Sequence, residues 1–168
     1  RWPLAVHVAG RAWRKTGRYG KLIGRAPDHG HDLALAIAAS TERVDHIKIV
    51  NSGLNSLKTY GKQTAPQFST DELRAAVQAA EADDKKVMVH VNGAEPIRRT
   101  IAAGGHSIEH GFFMGTDNVK RLADAPIFWV PTAVTMAGDA RHAPPGSVEG
   151  HVVDRTLDHQ LEQMLQPR

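Results

Sequence analysis

The sequence has 168 residues, of which 41% are hydrophobic and 23% charged, and its formal net charge is +3. These values are typical of one globular domain with a hydrophobic core, and so small a charge does not by itself indicate a nucleic-acid partner. No apolar run approaches the roughly 20 residues that cross a bilayer, so no membrane partner is expected. The absence of cysteine excludes disulfides and thiolate metal sites and leaves the compartment open, with the cytoplasm favoured.

Short apolar runs alternate with stretches of helical periodicity along the chain. The apolar runs predict strands at 4–10, 45–50, 86–91, 106–111 and 127–134. The other stretches predict helices at 30–40, 69–84, 94–105, 116–125 and 153–166. The clearest helix begins with a capping-box pattern, in which Ser69 is followed by Glu72. Strands that alternate with helices indicate right-handed βαβ units and a parallel sheet, so we expect an α/β fold.

Residues 10–25 form a long basic stretch, "GRAWRKTGRYGKLIGR", that contains no acidic residue. We expect it to be a loop that follows the first strand. Trp13 and Tyr19 within it offer rings on which nucleic-acid bases would stack. A solvated loop that borders an active site is the simpler interpretation, because runs of charge are usually exposed. We therefore expect no nucleic-acid partner.

Polar side chains that are able to bind metals occur near the C-terminal ends of three consecutive predicted strands: Lys48, His90 and His110. Because side chains alternate along a strand, His90 shares a face with Met88, and His110 shares one with Ile108. Each residue alone has an ordinary interpretation, as a hydrogen-bonded core histidine or as a lysine that snorkels from an edge strand. The C-terminal ends of parallel strands are where sites are built, so the convergence of all three favours a site.

Four segments carry a resemblance to a known family. "VDHIKIVNSG", "STDELRAAVQAAEADDKKVMVHVNG", "AAGGHSIEHG" and "VPT" resemble the metal-dependent amidohydrolase superfamily. The branch that they resemble most is the imidazolonepropionase-like and Xaa-Pro or Xaa-Arg dipeptidase group. The resemblance runs from about Thr16 to the end of the chain. The lysine of "IKI" followed by "IEHG" is a specific combination, although each motif alone is weak.

The resemblance implies a (β/α)8 TIM barrel, of which this chain would supply approximately strands three to seven with their helices. It implies one or two divalent metals, usually zinc, with Lys48 carboxylated and its carbamate bridging the two. His90 and His110 would bind the second metal, so these three residues are the expected metal-binding and catalytic residues. The donor types do not distinguish zinc from manganese or cobalt. The implied reaction is hydrolysis of a small-molecule amide or dipeptide by a metal-activated water.

The sequence also departs from the family pattern. The first-strand His-x-His pair is absent, because His7 has no histidine two residues away. Residues 29–31 ("HGH") have that spacing, but they lie where a loop enters a helix. The aspartate of the eighth strand is missing. Asn92 stands where an aromatic residue often follows the fifth-strand histidine, and His106 replaces an acidic residue that is common before "SIEHG". The last two differences concern the substrate class rather than metal binding.

Two alternatives to a binuclear amidase remain open. In one, a mononuclear relative hydrolyses a cyclic amide or deaminates a ring, and Lys48 stays uncarboxylated. In the other, the chain is a catalytically inactive barrel fragment that associates with another chain. Metal analysis separates the first alternative from the binuclear enzyme, and gel filtration with activity measurements separates the second.

A closed (β/α)8 barrel takes about 250 residues, and the chain begins with an arginine rather than a methionine. We therefore expect residues 1–168 to be the central part of a barrel domain whose N-terminal and C-terminal parts are missing, and to be inactive alone. An open barrel would expose inward-facing residues, here Met88 and Ile108, and would leave two strand edges unpaired. This predicts association, and we expect a homo-oligomer.

Overall fold

The computed structural model describes residues 4–28 and 32–166, and its centre is one six-stranded sheet. The strands are β1 (Ala12–Trp13), β2 (Gly24–Arg25), β3 (His46–Val50), β4 (Lys86–Val91), β5 (Ser107–His110) and β6 (Phe128–Val130). Their spatial order is β2–β1–β3–β4–β5–β6, and every neighbouring pair is parallel. The sheet is open, because β2 and β6 lie at its two edges without pairing to each other. The predicted α/β class and the partial barrel are confirmed.

Six helices accompany the sheet in the described part of the chain. They are α1 (Leu33–Ala38), α2 (Thr70–Glu81), α3 (Ala94–Ala102), α4 (Thr116–Ala123), α5 (Ala133–His142) and α6 (Val148–Met164). Helices α2, α3 and α4 are the crossovers that join β3 to β4, β4 to β5 and β5 to β6, as parallel pairing requires. Within residues 4–28 and 32–166, no helix has both the length and the apolar character needed to cross a membrane.

Helix α2 shows how the local sequence sets an element. The Ser69 hydroxyl accepts a hydrogen bond from the Glu72 amide at 3.1 Å, and the Glu72 carboxylate accepts one from the Ser69 amide at 2.7 Å. The capping box predicted from the sequence is therefore confirmed. The apolar face that follows at helical spacing is buried: Leu73, Ala76, Val77 and Ala80.

The two faces of the sheet have different compositions. Residues that alternate along β3, β4 and β5 form the face that packs in the main hydrophobic core: Ile47, Ile49, Val87, Val89, Val91 and Ile108. They are all β-branched, which suits the pleated, half-buried surface of a sheet. The opposite face carries Lys48, Met88 and His90 at the alternate positions. The sequence thus separates a dry core from a face on which polar groups can meet.

The predicted strand at 4–10 is wrong, since residues 4–10 have no regular secondary structure. Leu4 and Val6 are exposed, so the alternating pattern has no surface to pack against. The first strand is β1, inside the stretch that was expected to be a basic loop. Trp13 of β1 is buried, and the Arg25 guanidinium carbon lies 4.0 Å from the centroid of its ring. Trp13 is therefore not available to stack on a base.

The C-terminal part of the chain also differs from the prediction. Strand β6 ends at Val130, because Pro131 follows and has no N–H to donate to a ladder. Helix α5, which the sequence pattern did not predict, then begins at Ala133. Helix α6 begins at Val148, five residues earlier than expected, where the Ser147 hydroxyl accepts from the Gly150 amide at 3.0 Å. The "HGH" motif at 29–31 and the predicted start of the 30–40 helix lie outside the described residues.

Candidate active site

The three residues singled out in the sequence lie on adjacent strands, with His90 and His110 near the C-terminal ends of theirs and Lys48 in the middle of its strand. Lys48 is on β3, His90 on β4 and His110 at the last position of β5. The imidazole rings of His90 and His110 are 4.7 Å apart between centroids, with an interplanar angle of 69°. Strand β3 lies between β1 and β4. The interpretation of Lys48 as a snorkelling residue of an edge strand is therefore wrong.

His110 reaches His90 through an unusual backbone conformation. Its parallel partner in β4 is Val91, which belongs to the hydrophobic core, so regular alternation would turn His110 into that core together with Ile108. Instead His110 has a φ of 73°, in the left-handed region that costs a non-glycine residue roughly 1–2 kcal/mol. The expectation that His110 shares a face with Ile108 is therefore wrong. The expectation that Ile108 faces the inside of the barrel is also wrong, because Ile108 is fully buried in the main hydrophobic core between the sheet and the helices.

Each imidazole has one ring nitrogen engaged by an oxygen. His90 Nε2 is 3.2 Å from the Gly53 carbonyl oxygen, and because that oxygen only accepts, Nε2 carries the proton. His110 Nδ1 is 2.6 Å from the Thr132 hydroxyl. For the second nitrogen of each ring, the described residues supply no hydrogen-bond partner. One anchored nitrogen and one remaining nitrogen is the arrangement that orients a histidine ligand towards a metal.

Burial lowers the pKa of all three groups. Burial lowers the pKa of His90 to about 4, and the charges of His110 and Lys48 act in the same direction. Burial, followed by the Lys48 charge, also lowers the pKa of His110. The pKa of Lys48 is lowered by burial, against an opposing effect of the Glu109 carboxylate. Neutral imidazole is the form that binds metals, and a lysine amine becomes a nucleophile as its pKa falls.

Glu109 is a member of this group that the sequence analysis did not identify. It is the parallel partner of His90, is only 7% exposed, and its Oε1 accepts from the Ser107 hydroxyl at 2.6 Å. Its charge raises the pKa of both Lys48 and His110, which partly opposes burial. A signal was present in the sequence, because alternation places Glu109 on the face opposite the core residue Ile108.

Asn92 connects the loops that follow three strands. Its backbone amide donates to the Ser52 hydroxyl at 2.8 Å, and its side-chain oxygen accepts from the backbone amide of Phe112 at 3.1 Å. Ser52 follows β3 and Phe112 follows β5, so the buried Asn92 links the loops around the histidine pair. Tyr19 of the basic stretch also approaches the site, with its ring centroid 5.4 Å from that of His90.

A cavity of about 270 Å³ opens beside His90 and His110. Much of its wall is apolar, and the other residues that line it include Leu54, Leu57, Phe112, Met136 and Asp139. A larger cavity of about 440 Å³ lies at the opposite end of the strands, where Lys86 and Ser107 begin β4 and β5. It contains none of the site residues, so size alone does not identify the site. The smaller cavity is the one next to the histidine pair.

The amidohydrolase family model matches residues 24–139, which is more than half of the chain. The chain belongs to the amidohydrolase family. An uncharacterized protein of Mycobacterium tuberculosis is 28% identical to this amidohydrolase chain over 129 residues, which make up 76% of the chain and 34% of that protein. The chain therefore spans about a third of the length of this curated relative.

Solved structures give the same assignment. A Xaa-Pro dipeptidase with bound methionine is 26% identical with a TM-score of 0.66, over 93% of this chain and 42% of that chain. A prolidase complexed with N-methylphosphonate-L-proline is also 26% identical, with a TM-score of 0.69, over 93% of this chain and 43% of that chain. Ochratoxinase from A. niger has a TM-score of 0.72 at 19% identity, over 92% of this chain and 41% of that one, which shows the fold alone.

Amidohydrolases generally bind divalent metals. In the described part of this amidohydrolase chain, no three or more histidine, aspartate or glutamate residues are grouped so that they could hold a metal ion. The chain instead brings together two neutral imidazoles and one half-buried lysine. These donors fit a metal as part of a ligand set, because each imidazole has one anchored ring nitrogen and another for which residues 4–28 and 32–166 offer no partner.

Proposed function

We propose that the protein containing this chain is a metal-dependent hydrolase of amide or peptide bonds, with Lys48, His90 and His110 as its metal-binding residues. One observation carries the proposal: the two imidazoles lie 4.7 Å apart at the C-terminal end of the parallel strands. Burial lowers the pKa of both, so they are neutral at physiological pH. The family assignment and the prolidase-like neighbours support the same reaction class.

Lys48 has a distinct part in this proposal. Burial lowers its pKa, which increases the fraction of neutral amine that is able to react with carbon dioxide. The amine nitrogen bonds to the carbon of carbon dioxide and loses a proton, and the resulting carbamate is an anionic oxygen donor. The oxygens of a carbamate can bind a divalent cation, whereas a protonated lysine ammonium cannot. The carbamate would bridge two metals, of which zinc is the expected kind.

The chain's residues would prepare the site in several ways. A bound divalent metal supplies a water of lowered pKa and polarises the substrate carbonyl. Gly53 holds the His90 ring through Nε2 and Thr132 holds the His110 ring through Nδ1, which leaves the other nitrogen of each ring for the metal. The largely apolar cavity beside them would hold the apolar part of an amide or dipeptide and would exclude water. By analogy with the neighbours, dipeptides with a C-terminal proline are the first substrates to test.

The test measures metal content and hydrolysis together. The whole protein that contains this chain is assayed with dipeptides of the apolar residue–proline type, before and after removal of metal with a chelator and after reloading with zinc, manganese or cobalt. We expect turnover that is lost on chelation and regained on reloading, with two metals per site. A content of one metal per active site, together with hydrolysis of a cyclic amide or deamination of a ring, would instead identify the mononuclear alternative. Undiminished turnover in the chelated, metal-free protein would refute metal dependence.

A further inference from the structure

The backbone carbonyl of His110 receives two hydrogen bonds from outside its own strand. Trp129 Nε1 of β6 donates to it at 3.0 Å, and Gln160 Nε2 of α6 donates at 2.6 Å. His110 is also the residue whose φ of 73° turns its ring towards His90. The two donors therefore act on the peptide that follows the strained torsion.

A second buried glutamine extends this contact along the turn that follows β5. Gln163 Nε2 donates to the Gln160 side-chain oxygen at 2.9 Å and lies 3.5 Å from the Gly111 carbonyl oxygen. Its own side-chain oxygen accepts from the amides of Met114 and Gly115, at 2.8 and 3.2 Å. Gln160 is fully buried and Gln163 nearly so. Two adjacent amides on α6 thus hold the backbone of residues 110–115.

Buried glutamine side chains need hydrogen-bond partners, which apolar side chains on the same helix face would not need. Thr156, one turn earlier on α6, is also buried, and its hydroxyl donates to the Val152 carbonyl of its own helix at 2.7 Å. The Thr156 hydroxyl is thus hydrogen-bonded within its own helix, whereas Gln160 and Gln163 direct their polar side-chain atoms to the turn after β5. Buried polar groups cost free energy unless they are paired, so two glutamines aimed at one turn indicate a specific demand there.

We propose that Gln160 and Gln163, together with Trp129, are positioning residues for His110. They hold its carbonyl and the following turn so that the left-handed backbone keeps the imidazole against that of His90. The consequence for catalysis rests on the function proposed above. The positioning itself is a property of the metal-free protein and is measured separately.

The test uses Gln160→Met, which is close in shape but has no N–H, and Trp129→Phe, which removes the other donor. Thr156→Val is the matched control on the same helix. In the chelated protein with labelled histidines, NMR records the contact between the His90 and His110 rings. Calorimetric titration with zinc then measures metal affinity. We expect both variants to weaken or lose the ring contact and to bind zinc about 10- to 100-fold more weakly, while Thr156→Val matches the wild type.

Each result decides the proposal. An unchanged ring contact in folded Gln160→Met and Trp129→Phe overturns it, and so does an equal loss in Thr156→Val, which would show a general packing effect of α6. If Gln160→Met fails to fold by circular dichroism, Trp129→Phe decides alone. Loss of the ring contact in a protein whose wild type binds no zinc would uphold the positioning and reject the proposed function.

Discussion

The imidazole rings of His90 and His110 lie 4.7 Å apart although their strands place them by different routes. His90 follows the ordinary alternation of β4, whereas His110 leaves the alternation of β5 through a φ of 73°. Two protonated imidazoles at this distance would repel each other in a poorly solvated site, but two neutral ones can share a cation. Burial is the main reason why both rings stay unprotonated, and for His90 the charge that a protonated His110 would carry acts in the same direction.

Replacement of Lys48 by alanine in the whole protein should abolish binuclear metal loading. The reason is that Lys48 is the residue to which we assign the carbamate that would bridge the two metals. Metal content per active site, measured by mass spectrometry of the elements, checks this. Short carboxylic acids should partly restore loading, because they can occupy the bridging position.

The matched control for Lys48→Ala is Lys86→Ala. Lys86 is the exposed first residue of the neighbouring strand β4, at the end of the sheet away from the histidine pair. Its replacement should leave metal content and turnover unchanged. If Lys48→Ala retained two metals and wild-type activity, Lys48 would not be the bridging residue.

Replacement of His90 or His110 by asparagine should lower the affinity for the second metal by about 100-fold or more and leave the fold largely intact. Each substitution removes the ring nitrogen that we assign to the metal. His142→Asn and His151→Asn serve as controls, because both residues are exposed and far along the chain in α5 and α6. Titration of the metal-free variants with zinc gives the affinities. An equal loss in His142→Asn would contradict the site assignment.

The stability of the metal-free protein should fall as the pH falls from about 6.5 to about 4. The unfolded chain protonates His90 near its ordinary pKa of 6.5, whereas burial lowers its pKa in the folded state to about 4. Between these values the unfolded state binds more protons, so stability rises with pH. The full difference is on the order of 3 kcal/mol for this group. Urea unfolding at several pH values measures it.

His90→Asn removes this titration and should show a smaller loss of stability over the same pH window. His151→Asn removes an exposed histidine on α6 and should follow the wild type. Parallel slopes for wild type and His90→Asn would show that His90 does not carry the pH dependence.

The sequence determined the middle of the fold well, because β3, α2, β4, α3 and β5 each have strong periodicity. The misplaced first strand shows the limit of that signal. Apolar residues alternate from Leu4 to Val8 as they do in a strand, yet these apolar side chains are exposed. Whether a neighbouring surface buries them depends on tertiary packing, which the local pattern does not contain. In the site, alternation gave the right face for His90 and the wrong one for His110. The torsion of His110 depends on Trp129 and Gln160, which are distant in sequence.

Ser69→Ala should lower the free energy of unfolding by about 1 kcal/mol without changing metal content. It removes the acceptor for the Glu72 amide at the start of α2, and neither residue lines the cavity beside the histidine pair. Ser147→Ala is the comparison, because Ser147 caps α6 through one bond and lacks a reciprocal partner. The loss should be greater for Ser69, which belongs to a full capping box. Denaturant unfolding decides, and equal losses would show that the Glu72 bond to the Ser69 backbone amide, which the substitution keeps, does not strengthen the serine cap.

The 168-residue chain expressed alone should associate reversibly through the open side of its sheet. Strand β6 lies at an edge, and its Phe128 is 77% exposed although it belongs to a strand. An unpaired edge with an exposed aromatic residue is a template for pairing with another chain. Burial of such a ring contributes about 1.5–3 kcal/mol, so Phe128→Lys should raise the dissociation constant by about tenfold or more. Sedimentation velocity over a range of concentrations measures the constant.

Val134→Lys is the control for this association, because Val134 is equally exposed but lies on α5 rather than in the sheet. If association depends on the sheet, this variant should behave as the wild type, and only Phe128→Lys should shift towards monomer. If both lysine variants dissociate to the same degree, the cause is the added charge. A wild-type chain that stays monomeric at every concentration would remove the basis of the prediction, since the exposed edge would then be tolerated in solution.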